Sequence, residues 1–221
     1  MPTFTTPAPI TVALDTPAGQ VRLIAADRTD TVVEVRPADA GKSRDARAAE
    51  QTTVEFADGT LQVRTPVKNQ VFGSSGAVEV TVQLPTGSRV EAAAGGTELR
   101  GVGRLGEVVV ESAFGPVKFD EAAGMRLNTT GGVEVGRLDG PAEITAQQGD
   151  IRVGEATGGT LVLSTQDGGV SVGAAVGVSA VLDAGTSLGR VHNALKNTEG
   201  ASAPLRIRAT TVRGDISAHS L

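Results

Sequence analysis

The chain has 221 residues, a formal net charge of −5, and 39% hydrophobic against 20% charged residues, a balance too apolar for disorder and long enough to bury a core. Its 16 Arg and 4 Lys are spread along the sequence with no basic stripe, which argues against nucleic acid as a direct partner. With no Cys, Trp or Tyr and only five Phe against 29 Gly, it lacks thiolate chemistry and the large aromatic anchors of many interfaces.

The opening stretch MPTFTTPAPITVALDTPAG has no positive n-region and no unbroken apolar h-region, and no apolar run reaches the roughly 20 residues of a membrane helix. Together with the absence of cysteine, this sets the expectation of a soluble cytoplasmic protein with no membrane insertion. Alternating segments follow at ITVAL, QVRLIA, TVVEVR, TTVEF, TLQVR and AVEVTVQL, each reading as a strand with one inward face. Between them GKSRDARAAEQ is the one segment that reads as a short helix, with Ser43 as its N-cap, and NQVFGSSGA reads as a loop. Residues 1–90 are thus expected to form a β-rich cap, continuous with a more regular region over 91–221 in a single structural domain.

That second region is organised by a repeat. Gly115, Gly149, Gly168, Gly189 and Gly214 are each preceded three residues earlier by a small residue (Ser112, Ala146, Thr165, Thr186, Thr211). Each is followed two residues later by a β-branched one (Val117, Ile151, Val170, Val191, Ile216), and Gly131, with Thr129 and Val133, opens a slightly tighter unit. A second glycine series at Gly124, Gly140, Gly158 and Gly177 follows Ala122, Leu138, Ala156 and Ala175 by two residues. Two short strands and two corners per unit predict an all-β fold, a single-stranded parallel β-helix, in which glycine supplies the positive φ of the corners and successive units stack. The outward positions three after each glycine, Lys118, Glu134, Arg152, Ser171, His192 and Ser217, read as a solvated face.

Several short motifs carry chemistry in other settings. GVGRLG at 101–106 spells a dinucleotide loop, but EVVVESAF after it reads as strand where that chemistry needs a helix. GTSLG at 185–189, with Asp183 and His192 nearby, spells a hydrolase elbow, again without a helix after Ser187. His192 and His219 are the only histidines and have no cysteine to join them at a metal. Asp150 and Asp215 share a slot that could serve a carbohydrate-active enzyme, yet other units put Pro116, Gly132, Gly169 and Arg190 there. Asn128, Thr129 and Thr130 spell a glycosylation acceptor, and Arg213, Gly214 and Asp215 spell a receptor-binding tripeptide in the frame of the repeat. None of these is taken as a site: the sequence assigns no catalytic, cofactor-binding or metal-binding residue and implies no cofactor.

MPTFTTPAPI, AADRTDTVVEVRPAD, LRGVGRLGEV, LGRVHNAL and RGDIS together resemble the bacterial β-strand repeat family called "putative adhesin", in its actinobacterial form, across nearly the whole chain. The resemblance implies a right-handed parallel β-helix related to the toast-rack domains linked to envelope-stress systems, with no catalytic residues to carry over. The expected function is a non-enzymatic β-solenoid scaffold that binds a protein partner or copies of itself. A surface adhesin or a carbohydrate-active β-helix enzyme are the alternatives.

Overall fold

A computed structural model describes residues 1–66 and 76–221, with the side chain of Ser112 also outside the description. Most of the loop expected at NQVFGSSGA therefore lies outside the described residues. Among the described residues the chain is all-β with one α-helix. Its strands are β1 (Thr3–Thr5), β2 (Thr11–Ala26), β3 (Asp30–Pro37), β4 (Thr53–Ala57), β5 (Thr60–Arg64), β6 (Val78–Pro85), β7 (Arg89–Ala113), β8 (Val117–Thr129) and β9 (Val133–Leu138). There follow β10 (Ala142–Gln148), β11 (Ile151–Ala156), β12 (Gly159–Asp167), β13 (Val170–Ala174), β14 (Ala180–Leu188), β15 (Val191–Ala194), β16 (Leu205–Arg213) and β17 (Ile216–Ser220).

Each alternating segment read from the sequence is a strand, and ITVAL and QVRLIA are parts of one long strand, β2. The helix α1 spans Ser43–Gln51, but Ser43 is its first residue: Lys42 is the N-cap and supplies no side-chain hydrogen bond. Asp45 anchors that end instead. Its buried carboxylate accepts the Ala77 N–H at 3.1 Å, so α1 is tied to the segment entering β6.

The strands line up in two parallel ladders, and the chain passes from one to the other at the corners. One ladder runs through the second half of β7, then β8, β10, β12, β16 and β14. The other runs through β6, β2, β7, β8, β9, β11, β13, β17 and β15. The pairing is parallel from β5 and β6 onward, upstream of residue 90. Antiparallel strands close the N-terminal end, β4 on β5 and β1 on β3 on β6. There Phe4 and Phe56 meet with ring centroids 5.3 Å apart, a tilted aromatic contact over the end of the core.

Alternation explains which residues are inside. Leu99, Val117, Val133, Ile151, Val170 and Ile216 occupy one register position in successive strands, and each is no more than 2% exposed. Burying such a side chain contributes about 1.5–3 kcal/mol, and no single turn of chain could bury it alone. Gly101 sits where its ladder neighbour is Phe119, a fully buried aromatic side chain of the core.

The corners explain the repeat. The hydroxyl three residues before a corner glycine donates to the carbonyl of a corner glycine in the adjoining strand pair: Thr165 to Gly149 at 3.1 Å, Thr211 to Gly168 at 2.8 Å, and Thr186 to Gly214 at 3.0 Å. A left-handed φ is needed at Gly149, Gly168 and Gly214, which have φ of 98°, 155° and 141°. Gly131 and Gly189 are not in that region. Their reason is close approach: a Cβ at Gly189 would stand 1.9 Å from the Gly214 carbonyl oxygen, and one at Gly131 would stand 2.8 Å from that of Gly115. Of the second series, Gly124 lies inside β8, and it is Ala174, next to the buried Ala175, that stands opposite Ala156 in the ladder.

The units do not stack in sequence order at the C-terminal end. β16 pairs with β12 on one side and β14 on the other, and β17 lies between β13 and β15. The unit last in sequence is therefore enclosed, and the unit before it is outermost. Residues 175–179 step past one strand spacing, and residues 195–204, with a 3-10 turn at Gly200–Ser202, lead back.

Candidate interaction surface

The short motifs are absorbed by the architecture. Gly101, Gly103 and Gly106 all lie in β7, and no helix follows them. A Cβ at Gly101 would stand 2.2 Å from Cδ1 of Phe119, Gly103 has φ of 79°, and a Cβ at Gly106 would stand 2.5 Å from the Gly87 carbonyl oxygen. Ser187 and Asp183 belong to β14, whereas His192 belongs to β15 in the other ladder. Asp183 is engaged by Arg208 at 3.2 Å, so these three residues form no relay. His192 and His219 are on neighbouring strands, but no group of three or more His, Cys, Asp or Glu suited to a metal ion occurs among the described residues. Asn128 is exposed on β8.

Asp150 and Asp215 perform the same local task. Asp150 Oδ1 accepts the Gly169 N–H at 2.7 Å, and Asp215 Oδ1 accepts the Arg190 N–H at 2.8 Å. Each carboxylate thus satisfies a backbone donor at the adjoining corner. Arg213 pairs with Asp167 at 3.0 Å, and these two are register partners in β16 and β12. The tripeptide at 213–215 is built into the ladder at all three positions.

The outer faces neutralise themselves. Lys118 bridges Glu134 at 2.7 Å, Arg137 bridges Glu155 at 3.0 Å, and Arg126 approaches Glu143 at 3.5 Å, each pair being register partners on adjoining strands. The hydrogen bond from Lys118 holds the Glu134 carboxyl below its ordinary pKa, with Lys118, Arg152 and Arg100 adding favourable charge. Asp139 raises the pKa of Arg137 above its ordinary value in the same way. Exposed pairs of this kind contribute about 0–1 kcal/mol and leave no concentrated charge for a ligand.

The two ends differ from the faces and from each other. At the N-terminal end α1 packs on β3 and β6, and the Phe4–Phe56 contact closes the core. At the other end, among the described residues, β14 has only β16 as a strand neighbour and β15 only β17, so each has one edge without a strand beside it, closed at the start of β14 by the Ala180 N–H donating to the Lys196 carbonyl at 3.1 Å. Val191 occupies the register position that holds Ile216 at 1% exposure, yet it is 46% exposed. Leu188 is exposed across the corner from it, Leu182, Ala184 and Leu195 are only partly covered, and a Cβ at Gly185 would meet nothing within 4 Å. The sequence reading missed this surface because Val191 carries the same signal as the buried residues of its row.

No family model matches the sequence, and no curated protein matches it. The chain is similar to a solved structure named a "putative adhesin" from Bacteroides fragilis, with 13% identity, 98% of this chain and 95% of that one covered, and a TM-score of 0.49. It is similar also to a "putative cell adhesion protein" from Clostridium sporogenes, at 11% identity over 100% of this chain and 98% of that one, with a TM-score of 0.40. A "putative lipid binding protein" from Parabacteroides distasonis matches at 9% identity over 100% and 95%, with a TM-score of 0.45. Similarity this distant assigns no role to any residue.

Proposed function

We propose that this chain is a non-enzymatic β-solenoid scaffold of the cytoplasm that binds protein through its open end, the β14–β15 strand pair. In this reading the two ladders are the walls of a right-handed parallel β-helix and the antiparallel N-terminal strands are its cap. The observation that carries it is the inward register position that is buried throughout the interior and 46% exposed at Val191. A row of apolar side chains that ends in solvent, flanked by unpaired strand edges, is a surface suited to a partner. The likeness to the "putative adhesin" family read from the sequence extends the proposal to toast-rack relatives and envelope-stress signalling, without adding a residue to it.

The test is site-specific photo-crosslinking in the native cell. A crosslinker at Val191 is expected to capture a discrete protein, and one at Ser171, on the outer face of β13, is expected to capture none. Capture from Ser171 alone would place binding on the flat face and overturn the reading. Fractionation of the same cells tests the location, which fails if the protein is recovered outside the cytosol.

A further inference from the structure

We propose that Asn193 assigns the β14–β15 pair to the end of the stack: its amide penalises an apolar strand lying over β15, so the last unit of the chain inserts beneath that pair. The inference is independent of the binding reading, since a partner that offers the amide an acceptor avoids the penalty.

The observation is one register row. Phe119, Val135, Val153, Val172 and Ala218 follow one another across β8, β9, β11, β13 and β17, and Asn193 of β15 comes next. The first five are apolar and no more than 2% exposed. Asn193 breaks the row with a carboxamide, and it does so at the position where the row meets solvent. Val191, two residues earlier, belongs to the row that holds Ile216, so alternation gives Asn193 the same inward-facing register.

Its hydrogen bonding explains the penalty. Asn193 Oδ1 accepts the Leu195 N–H at 3.0 Å, and among the described residues its Nδ2 donates to no acceptor, a need that water meets at an open end. In sequence order β15 would lie between β13 and β17, with Asn193 between Val172 and Ala218. The backbone groups on either side would be taken by the parallel ladder, leaving Nδ2 buried and unsatisfied. A buried amide of this kind lowers the population of the arrangement by roughly ten- to a hundredfold. The observed order puts Ala218 in that slot and leaves the amide in water. A single polar residue in an apolar row fixes the arrangement of coiled coils in the same way. While β15 is last, Asn193 carries no such cost, whether its neighbour is β17 or β13.

The test forces the alternative order on the full chain. Because the chain has no cysteine, Ser171→Cys with His192→Cys, oxidised in denaturant and then refolded, gives one disulfide that ties β13 to β15 and shuts β17 out from between them. In this locked chain residues 205–220 either lie over β15 or stay undocked, and limited trypsin digestion at Arg206, Arg208 and Arg213 reads which. The locked chain is expected to lose this segment faster than the unlocked chain, and adding Asn193→Val is expected to slow that loss by about tenfold or more. In the unlocked chain Asn193→Val is expected to leave the cleavage rate unchanged. A locked chain that protects the segment with Asn193 in place overturns the proposal, and so does one that loses it equally fast with and without Asn193→Val. Should the locked chain fail to fold, the unlocked chain reads the slot itself. There Ala218→Asn is expected to lower the urea midpoint more than the similarly sized Ala218→Leu, and Asn193→Ala to leave it unchanged. Equal midpoints for Ala218→Asn and Ala218→Leu would also overturn the proposal.

Discussion

Gly101 shows how a residue that spells one chemistry serves another. Its hydrogen leaves room for the ring of Phe119: an added methyl would lie 2.2 Å from Phe119 Cδ1 and 2.9 Å from Leu105 Cδ1. Overpacking a closed core costs about 1–3 kcal/mol, so Gly101→Ala is expected to lower the urea unfolding free energy by that amount. Adding Phe119→Leu should cost less in the Gly101→Ala background than in the wild type, because the two changes share one contact. Equal unfolding midpoints for Gly101→Ala and the wild type would refute the contact. The tripeptide at 213–215 teaches the same lesson. Gly214 was legible as a corner from the repeat, but Arg213 had no visible reason until Asp167 was found beside it.

At the scale of the elements, the strands, corners and inward residues were legible because alternation and glycine spacing are local signals. The order of the last two strand pairs was not. Each presents small or aliphatic residues to the interior, Ala180, Leu182 and Ala184 in β14 against Leu205, Ile207 and Ala209 in β16, so either could lie on β12. The deciding interactions are few: Arg213 with Asp167, and Ser217 Oγ within 3.2 Å of Ser171 Oγ. The open end escaped for the same reason, since exposure of Val191 follows from that order and from nothing local. The order can be tested by cross-linking within one chain. Ser171→Cys with Ser217→Cys is expected to form a disulfide, because adjacent strands are about 4.8 Å apart. Ser171→Cys with His192→Cys is expected to remain reduced, since one strand intervenes and the spacing doubles to about 9–10 Å. The reverse outcome would restore sequence order.

For the whole molecule, the exchanged order means that β16 and β17 are inserted between surfaces that fit each other. Val191 takes the position of Ile216 in its row, and Leu182 and Ala184 match Ile207 and Ala209. Thr186 sits three residues before Gly189 as Thr211 sits before Gly214, so its hydroxyl could reach the Gly168 carbonyl that Thr211 now uses. A chain ending at residue 204 is therefore expected to remain folded, with β14 and β15 closing onto β12 and β13 in sequence order. In that shortened chain Ser171→Cys and His192→Cys should form the disulfide that the full chain forbids. The stability should fall, because Leu205, Ile207 and Ile216 no longer contribute burial worth about 1.5–3 kcal/mol each. A shortened chain that is folded but leaves these cysteines reduced would mean that the gap stays open. One that loses its β-sheet spectrum would mean that β16 and β17 are required for the outer pair to fold at all. Closure of the gap would trace the observed order to the added burial and cross-strand pairs of residues 205–220, with no incompatibility between the neighbours they separate.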